Sequence, residues 1–308
     1  MKLHQLRTLV ALVETGSIRG AARVLGLTQP AVTTRIADLE QEVGAVLVHR
    51  GAFGTTLTHV GQALLAHARV IDHQVRRAEE EISQLTLQGG ASLAMGVSPL
   101  AAIDLVAPAL RQLQADYPEV QVRVVEGLFP RTSAELREGL VDFVVSPMPP
   151  AKQAEKAFHF QELVAYPMYV AARAGHPLRK ATRLADLAQA QWIVGASTNS
   201  RRATVEEMCT EHGLPMPRIL VHTDSVTQVQ ACIATSDLIG LLPRQLFAGW
   251  PALKIVALPI TDTIRPVRMG LITRAGTKLT PMAEHFAGLL RQRAGEVAGG
   301  LASRRSRA

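Results

Sequence analysis

The chain has 308 residues, of which 47% are hydrophobic and 19% are charged, so its composition excludes a disordered protein. At about 150 residues per domain, this length allows two or three domains. The formal net charge of +7 is weak support for a polyanionic partner, because residues 1–60 hold six basic and four acidic side chains.

Charged side chains interrupt the first apolar stretch of the chain. Lys2, Arg7 and Glu14 leave no uninterrupted signal-peptide core. No later apolar run approaches the roughly 20 residues that span a bilayer. We therefore expect a cytoplasmic protein with no membrane partner.

The residues that usually carry chemistry have no catalytic or metal-binding spacing. Cys209 and Cys232 lie far apart without a CxxC partner, which favours two buried thiols over a disulfide or zinc site. The histidines form no HExxH pattern, and no GxSxG, Walker A or GxGxxG motif occurs. The sequence predicts no cofactor, no metal and no enzymatic activity.

The first two predicted helices are short. Residues 3–14 place Leu6, Leu9 and Val13 at helical spacing. The "TGS" stretch at 15–17 then breaks the helix and supplies Ser17 as the cap of a second helix, which Gly26 ends.

The segment "GLTQPAVTTRIADLEQEVG" at 26–44 predicts a third helix with two different faces. Thr28 can cap it, and Pro30 fits its first turn, where a missing N–H costs no helical hydrogen bond. One apolar stripe is predicted, made of Val32, Ile36, Leu39 and Val43. The opposite face has short side chains, with Thr33 on its flank: Pro30, Thr34, Ala37 and Gln41. Three short helices in this order predict a helix-turn-helix, whose second motif helix enters the major groove of DNA.

A hairpin and a long helix are predicted to follow. "AVLVHR" and "TTLT" around "GAFG" indicate a β-hairpin wing. From Thr58 to Leu87, apolar residues recur at spacings of three and four, and a helix of this length needs a partner, so we interpret it as a dimerisation helix. "QGGAS" at 88–92 is typical of a linker.

Beyond residue 92 the pattern changes to strands alternating with helices. Strand-like runs occur at 92–97, 120–125, 142–146, 168–172, 191–195, 218–222, 238–242 and 253–258. Helical stretches at 99–115 and 131–138 between them predict βαβ units and a parallel sheet. The strand-like run at 267–273 and a helix at 280–293 are too small to form a domain by themselves. We expect them to pack on an earlier strand-and-helix segment of the chain. Residues 294–308, rich in Gly, Ala and Arg, are expected to be a disordered tail.

The chain resembles the LysR-type transcriptional regulators from Leu3 to about Arg293, most specifically at "GSIRGAARVLGLTQPAVTTRIADLEQEVGAVLVHR" followed by "LTHVG". The resemblance implies an α/β fold: an N-terminal all-α winged helix-turn-helix, a long linker helix, and a two-lobed effector domain like periplasmic binding proteins. The expected division is 1–58 for the DNA-binding domain, 59–88 for the linker helix, 91–162 with 266–293 for lobe I, and 163–265 for lobe II. The resemblance also implies a homodimer that assembles to a homotetramer and bends DNA, with RNA polymerase as a further partner.

Carried over by position, the resemblance assigns double-stranded DNA contacts to Thr28, Gln29, Pro30, Thr33, Thr34, Arg35 and, in the wing, Arg50. Gln29 can pair bidentately with adenine, and the threonines can offer hydroxyl and methyl groups to base edges. Two positions depart from the family pattern, which has serine at Thr33 and arginine at Phe53. The second departure removes a phosphate or minor-groove contact from the wing.

The effector cleft should lie outside the carboxyl ends of the parallel strands. The strand-to-helix junctions there supply candidate residues from both lobes: Ser98, Pro99, Phe129, Pro130, Arg131, Thr132, Met148, Ser197, Thr198, Asn199, Ser200, Arg201 and Thr223. Several helix N-termini and arginines would suit an anion, and Phe129 and Met148 an apolar body. We therefore predict a small organic anion, such as an aromatic carboxylate or sulfonate, as the effector.

Two other classes of protein remain open. The two-lobed half alone would suit a solute-binding protein of a transport system, although residues 1–88 and the lack of a secretion signal speak against it. An enzyme of porphobilinogen-deaminase-like architecture would share the lobes, but neither cysteine lies at a predicted strand-to-helix junction.

Overall fold

The computed structural model describes residues 1–51, 54–85, 92–149, 155–195 and 199–305. The chain forms two compact units, Met1–Ala91 with Arg137–Val141, and Ser92–Leu136 with Asp142–Ala308. The first unit contains α1 (Leu3–Thr15), α2 (Ile18–Leu25), α3 (Gln29–Val43), β1 (Val48–Gly51), β2 (Gly54–Leu57) and α4 (His59–Leu85).

The helix ends of the first unit follow from the capping residues. The Ser17 hydroxyl accepts the N–H of Gly20 at 3.0 Å, and the Thr28 hydroxyl accepts that of Ala31 at 3.3 Å. Gly26 ends α2 with φ of 64°, in the left-handed region that glycine adopts without strain. The helix-turn-helix geometry is therefore set by local chemistry.

One apolar core joins the helices of the first unit. Leu9 of α1, Val32 and Leu39 of α3 and Ala68 of α4 are fully buried in it. Gly61 lies so close to the backbone that a Cβ there would be 2.1 Å from the carbonyl oxygen of Leu47, so only glycine fits. Packing thus fixes the start of α4 beside the hairpin.

The apolar stripe on α3 is shorter than the sequence predicted. Val32, Ile36 and Leu39 are buried, but Val43 is 36% exposed, so its assignment to the stripe was wrong. Val43 is the last residue of the helix, directly before the cap residue Gly44. The core against which the stripe packs does not extend to this final turn.

The second unit contains two five-stranded sheets. The elements of its first half are β3 (Ser92–Val97), α5 (Pro99–Ala101), α6 (Ala107–Asp116), β4 (Gln121–Glu126), α7 (Phe129–Glu138), β5 (Phe143–Pro147) and β6 (Phe158–Tyr166). A single π-helical turn, Ala102–Val106, joins α5 to α6. The remaining elements are β7 (Met168–Arg173), β8 (Gln191–Gly195), α8 (Asn199–Glu211), β9 (Arg218–Thr223), α9 (Val226–Thr235), β10 (Leu238–Pro243), β11 (Ile255–Ala257), β12 (Val267–Arg274) and α10 (Pro281–Arg305).

The sheets divide this unit into two lobes. The first lobe has the strand order β4-β3-β5-β12-β6, and the second lobe has β11-β7-β10-β8-β9. In the first lobe β3 is parallel to both β4 and β5, and in the second lobe β8 is parallel to both β9 and β10. These βαβ pairs and the two-lobed α/β class were predicted and are confirmed.

Antiparallel strands complete both sheets. β12 is antiparallel to β5 and β6, and β7 is antiparallel to β10 and β11. The sequence pattern did not predict β6, whose run "FHFQELVAY" is separated from β7 by Pro167 alone. The chain passes from the first sheet to the second at this proline and returns between β11 and β12.

The C-terminal helix is longer than expected. α10 runs from Pro281 to Arg305, so the expectation of a disordered tail was wrong for residues 294–305. Ala294 is buried, which shows that packing continues past the expected end. Residues 294–305 also contain no proline, so a buried start can propagate the helix through them. The last three residues lie outside the described part of the chain.

Candidate nucleic-acid interface and effector cleft

The N-terminal half of α3 presents a short-chained polar surface. Thr28, Gln29, Pro30 and Thr34 are exposed, whereas Thr33 and Arg35 are half-buried at the edges. We call the four exposed residues the recognition face. The opposite side of the helix is held in the core by Val32 and Ile36. A duplex can therefore approach this backbone without meeting bulky side chains.

A carboxylate that the sequence analysis missed connects α3 to the wing. Glu40 accepts hydrogen bonds from the N–H groups of Leu47 at 2.7 Å and Val48 at 3.1 Å, both at the start of the hairpin. Thr58, at the other end of the hairpin, donates to the carbonyl of Val46 at 2.7 Å. No local sequence signal distinguishes Glu40 from a solvated helix residue, because its partners lie beyond the helix end.

The wing is an antiparallel hairpin, as predicted. Arg50 in β1 pairs with Thr55 in β2. The side chain of Arg50 and the residue Phe53 lie outside the described part of the structure. The assignment of Arg50 to a phosphate contact thus remains a prediction.

The long helix α4 has a buried, ion-paired carboxylate and an exposed apolar stripe. Arg7 Nε of α1 lies 2.5 Å from Asp72 Oδ1, and Arg76 Nε lies 3.2 Å from Asp72 Oδ2. The hydrogen bond to Asp72 raises the pKa of Arg7 above its ordinary value. On the surface, Val60, Ile71 and Ile82 are 45%, 38% and 61% exposed. Their spacing of eleven residues is about three helical turns, so they form one line, which we call the linker stripe.

Three hydroxyls are buried where strands of the first lobe end. Ser98, predicted to face the effector, is 1% exposed, and its hydroxyl lies 3.7 Å from the sulfur of Met269. Thr132 donates to the carbonyl of Leu128 at 3.2 Å. Ser146, which the sequence analysis missed, accepts the N–H of Phe129 at 2.9 Å. Ser146 thereby satisfies the first N–H of α7, which was expected to point toward a ligand.

The apolar residues predicted at the cleft pack within the first lobe. Phe129 is 3% exposed, and its ring lies edge-on to Phe158 and Phe160, with centroids 5.1 and 5.4 Å away. Met148 is half-buried and covers Gly270, where a Cβ would lie 2.7 Å from its Cγ. Phe129 thus packs inside the first lobe, and Met148 packs on β12.

The second lobe contributes its own strand-to-helix junctions. Thr223 bonds Gln228, and Ser225 caps α9 through the N–H of Gln228 at 3.3 Å. Ser197 and Thr198 lie outside the described residues, as do the side chains of Pro130 in the first lobe and of Asn199, Ser200 and Arg201 in α8. Pro99 begins α5 directly after Ser98.

One ion pair joins the two sets of junctions. Arg131 Nη1, in the first turn of α7, lies 3.6 Å from Asp224 Oδ2, which follows β9. A separate concavity of about 380 Å³ lies in the first lobe, lined by β6, β12, the loop before α10 and the first half of α10, including His159, Lys278 and Arg291. None of the predicted effector residues lines it. Within the described residues, no three His, Cys, Asp or Glu side chains form a metal-binding group, and no helix is long and apolar enough to cross a membrane.

Comparison with known proteins identifies both units. Residues 3–62 match the family of bacterial regulatory helix-turn-helix proteins of the lysR family, and residues 88–295 match the LysR substrate binding domain. The chain is 30% identical over 295 residues to the SDS degradation transcriptional activation protein of a Pseudomonas species, covering 94% of this chain and 95% of that protein. It is 28% identical over 293 residues to the transcriptional regulator GbpR of Rhizobium radiobacter, covering 94% and 95%.

Solved structures show the same fold. The crystal structure of CbnR, a LysR family transcriptional regulator, has a TM-score of 0.73 at 22% identity, covering 96% of this chain and 99% of that one. The crystal structure of full-length CbnR complexed with its target DNA also has a TM-score of 0.73 at 22% sequence identity. It covers 95% of this chain and 100% of that one.

A winged helix-turn-helix, a long helix and a two-lobed binding unit define a ligand-responsive DNA-binding transcriptional regulator. The chain belongs to the LysR family of such regulators. The alternative of a solute-binding protein for transport is therefore wrong, because the regulatory helix-turn-helix match covers residues 3–62.

Proposed function

We propose that this regulator binds a pseudo-palindromic promoter site through the recognition face and changes its oligomer geometry when a small organic anion binds between the lobes. The observation that carries the first part is the asymmetry of α3, with Val32 and Ile36 buried and Gln29 and Thr34 exposed. The proposal that the effector is an anion is supported by the position of Arg131, which lies where the two lobes meet. The resulting activity is transcriptional control in the bacterial cytoplasm, without catalysis.

Each residue of the DNA interface has a distinct proposed role. Gln29 pairs with adenine, because its amide can donate to N7 and accept from N6 in the major groove. Thr33 and Thr34 offer hydroxyl and methyl groups to base edges, and Arg35 contacts base or phosphate beside them. Thr28 and Pro30 set the approach of the helix start, and Arg50 contacts phosphate from the wing.

The oligomer is proposed to form through α4. Val60, Ile71 and Ile82 are exposed in a line along the helix, and two such lines can bury each other in a dimer. The dimer places two recognition faces at half-sites about 34 to 36 Å apart, or multiples of this distance. Two dimers then pair as a homotetramer that bends the promoter and presents it to RNA polymerase.

The effector is proposed to lie between the lobes, in contact with Arg131 and Thr223 and with the start of α8. Ser98 and Thr132, each 1% exposed, support this site from within the first lobe. Arginine forms strong charge-assisted hydrogen bonds with carboxylates and sulfates. One relative is named for the degradation of SDS, whose detergent ion is an alkyl sulfate. We therefore place aromatic carboxylates, sulfonates and alkyl sulfates first among the candidates. The proposed boundaries are 1–58, 59–88, 91–162 with 266–293, and 163–265.

Selection of duplex DNA by the full-length protein tests the interface. A pool of randomised duplexes is enriched on the wild type, on Gln29→Ala and on the matched control Gln41→Ala, which changes an exposed glutamine near the other end of α3. We expect the wild type to enrich a two-fold symmetric motif, which Gln29→Ala relaxes at one adenine per half-site at a cost of about 1 to 3 kcal/mol. Gln41→Ala should leave the motif unchanged. Enrichment of no symmetric motif by the wild type would contradict the proposal.

A further inference from the structure

The contact between Arg131 and Asp224 spans the two lobes. Arg131 is the third residue of α7 in the first lobe, and Asp224 directly follows β9 in the second lobe. The guanidinium Nη1 and the carboxylate Oδ2 are 3.6 Å apart, and the side chains are 71% and 52% exposed. The pair therefore bridges the two lobes at a solvent-exposed position that a solute can reach.

The local environment of Arg131 does not explain its position. A cation in the first turn of a helix faces the positive end of the helix dipole, which disfavours it. The first N–H of α7 is already satisfied by Ser146, and Thr132 bonds within its own turn. The counter-charge thus comes from the other lobe.

Asp224 is well placed to provide that charge. It directly precedes Ser225, the cap residue of α9, so its carboxylate lies near the positive end of that helix. It carries the same functional group as an aromatic carboxylate effector. An organic anion and Asp224 would therefore compete for the same guanidinium.

We propose that Asp224 is an internal stand-in for the effector: its ion pair with Arg131 joins the lobes in the effector-free chain and is exchanged for the anionic group of the effector on binding. The replacement of Asp224 rests on the proposed function, because it requires an anionic effector between the lobes. The joining of the lobes by the ion pair does not require an effector. Exposed ion pairs are weak, so the effector can replace this one without a large opposing cost.

The joining of the lobes in the effector-free chain is tested by amide hydrogen exchange, measured in the lobe that does not carry the mutation. Asp224→Asn, in the second lobe, should speed amide exchange in the first turn of α7 in the first lobe. Arg131→Gln should speed exchange in the first turn of α9. We expect about a two- to five-fold effect in each, the range that loss of an exposed ion pair gives. Arg131→Lys, which keeps the charge, should restore most of the protection.

Two matched controls remove the same charges from pairs that do not span the cleft. Asp237→Asn breaks the pair with Arg173, and Arg265→Gln breaks the pair with Glu211 of α8. Asp237 is 56% exposed and Arg265 is 73% exposed, close to the values for Asp224 and Arg131. Neither control should change exchange in the first turn of α7. If Asp224→Asn behaves like Asp237→Asn there, the proposal is overturned.

Replacement of Asp224 by the effector is tested by calorimetric titration of the full chain. The two probes are sodium benzoate and sodium octyl sulfate, the latter below its micellar concentration. Asp224→Asn should bind the active anion about two- to five-fold more tightly than wild type, because the competitor is gone. Arg131→Gln should bind at least about ten-fold more weakly. Equal affinity in Asp224→Asn and Asp237→Asn would overturn the exchange. If no variant binds either anion while the hydrogen exchange responds as expected, the anionic effector fails and the joining of the lobes stands.

Discussion

Glu40 shows how a single side chain helps to set the geometry of the DNA-binding unit. Its carboxylate bonds two N–H groups at the start of the wing while its backbone belongs to α3. Glu40 and the buried side chains of Leu47 and Val48 therefore together hold the start of the hairpin beside α3. Buried or half-buried carboxylates with two N–H partners are costly to remove, because both donors lose their acceptor.

Arg50→Ala tests the wing at the residue scale. If Arg50 contacts a phosphate, its removal should weaken binding to all duplex sequences alike and reduce the slope of log affinity against log salt by about one. Fluorescence anisotropy across a salt series measures both quantities. Arg179→Ala, which removes an exposed arginine of the binding unit, is the control and should leave the slope unchanged. An unaltered slope in Arg50→Ala removes this residue from the phosphate contacts.

Residues with local signals were predictable, and residues with distant partners were not. Thr28 and Pro30 could be assigned because a cap and a first-turn proline act within a few residues. Asp72 could not, since its partner Arg7 lies 65 positions away. Ser98 was expected to face the effector, but its hydroxyl lies against the sulfur of Met269 in β12. A strand 171 positions along the chain therefore determines where the Ser98 hydroxyl lies.

At the scale of elements, the linker stripe on α4 predicts the oligomer. Ile71→Glu with Ile82→Glu places four charges in the proposed symmetric interface, where apolar burial of each isoleucine is worth about 1.5 to 3 kcal/mol. We expect the dissociation constant of the dimer to rise by at least about 100-fold, measured by sedimentation over a concentration series.

The control for this prediction adds the same charges to another side of the helix. Gln62→Glu with Ala66→Glu changes two exposed positions of α4 that the helical repeat turns away from the linker stripe. These changes should leave dimerisation nearly unaltered. Dimers that survive the isoleucine changes would exclude the stripe from the interface.

The elements that were missed have two physical causes. β6 adjoins β7 with one intervening residue, so no turn signal separated them, and its partner β12 lies about a hundred positions along the chain. The end of α10 was missed because glycine and alanine content suggested disorder, whereas a helix that is packed up to Ala294 continues through residues without proline. Tertiary contacts thus decided β6, and continuation from a packed helix decided the end of α10.

At the scale of the whole molecule, effector binding should alter how the protein bends DNA. A ligand shifts an oligomer only by its difference in affinity between two arrangements. We expect the bend angle of a selected duplex, measured by energy transfer between its labelled ends, to change when a bound anion saturates the cleft. Arg131→Gln should abolish the response at the same anion concentration while retaining DNA binding. An identical bend with and without saturating anion would refute the switch.

The single residue between β6 and β7 has a mechanical consequence. Proline holds φ near −65°, which leaves one soft backbone torsion at that position. Tyr166, directly before Pro167, is completely buried, and this burial raises the pKa of its hydroxyl. Pro167 thus removes one of the backbone rotations through which one sheet could turn against the other at this crossing. Any effector that changes the angle between the sheets must therefore act through the remaining torsions beside Pro167 and through the longer crossing between β11 and β12.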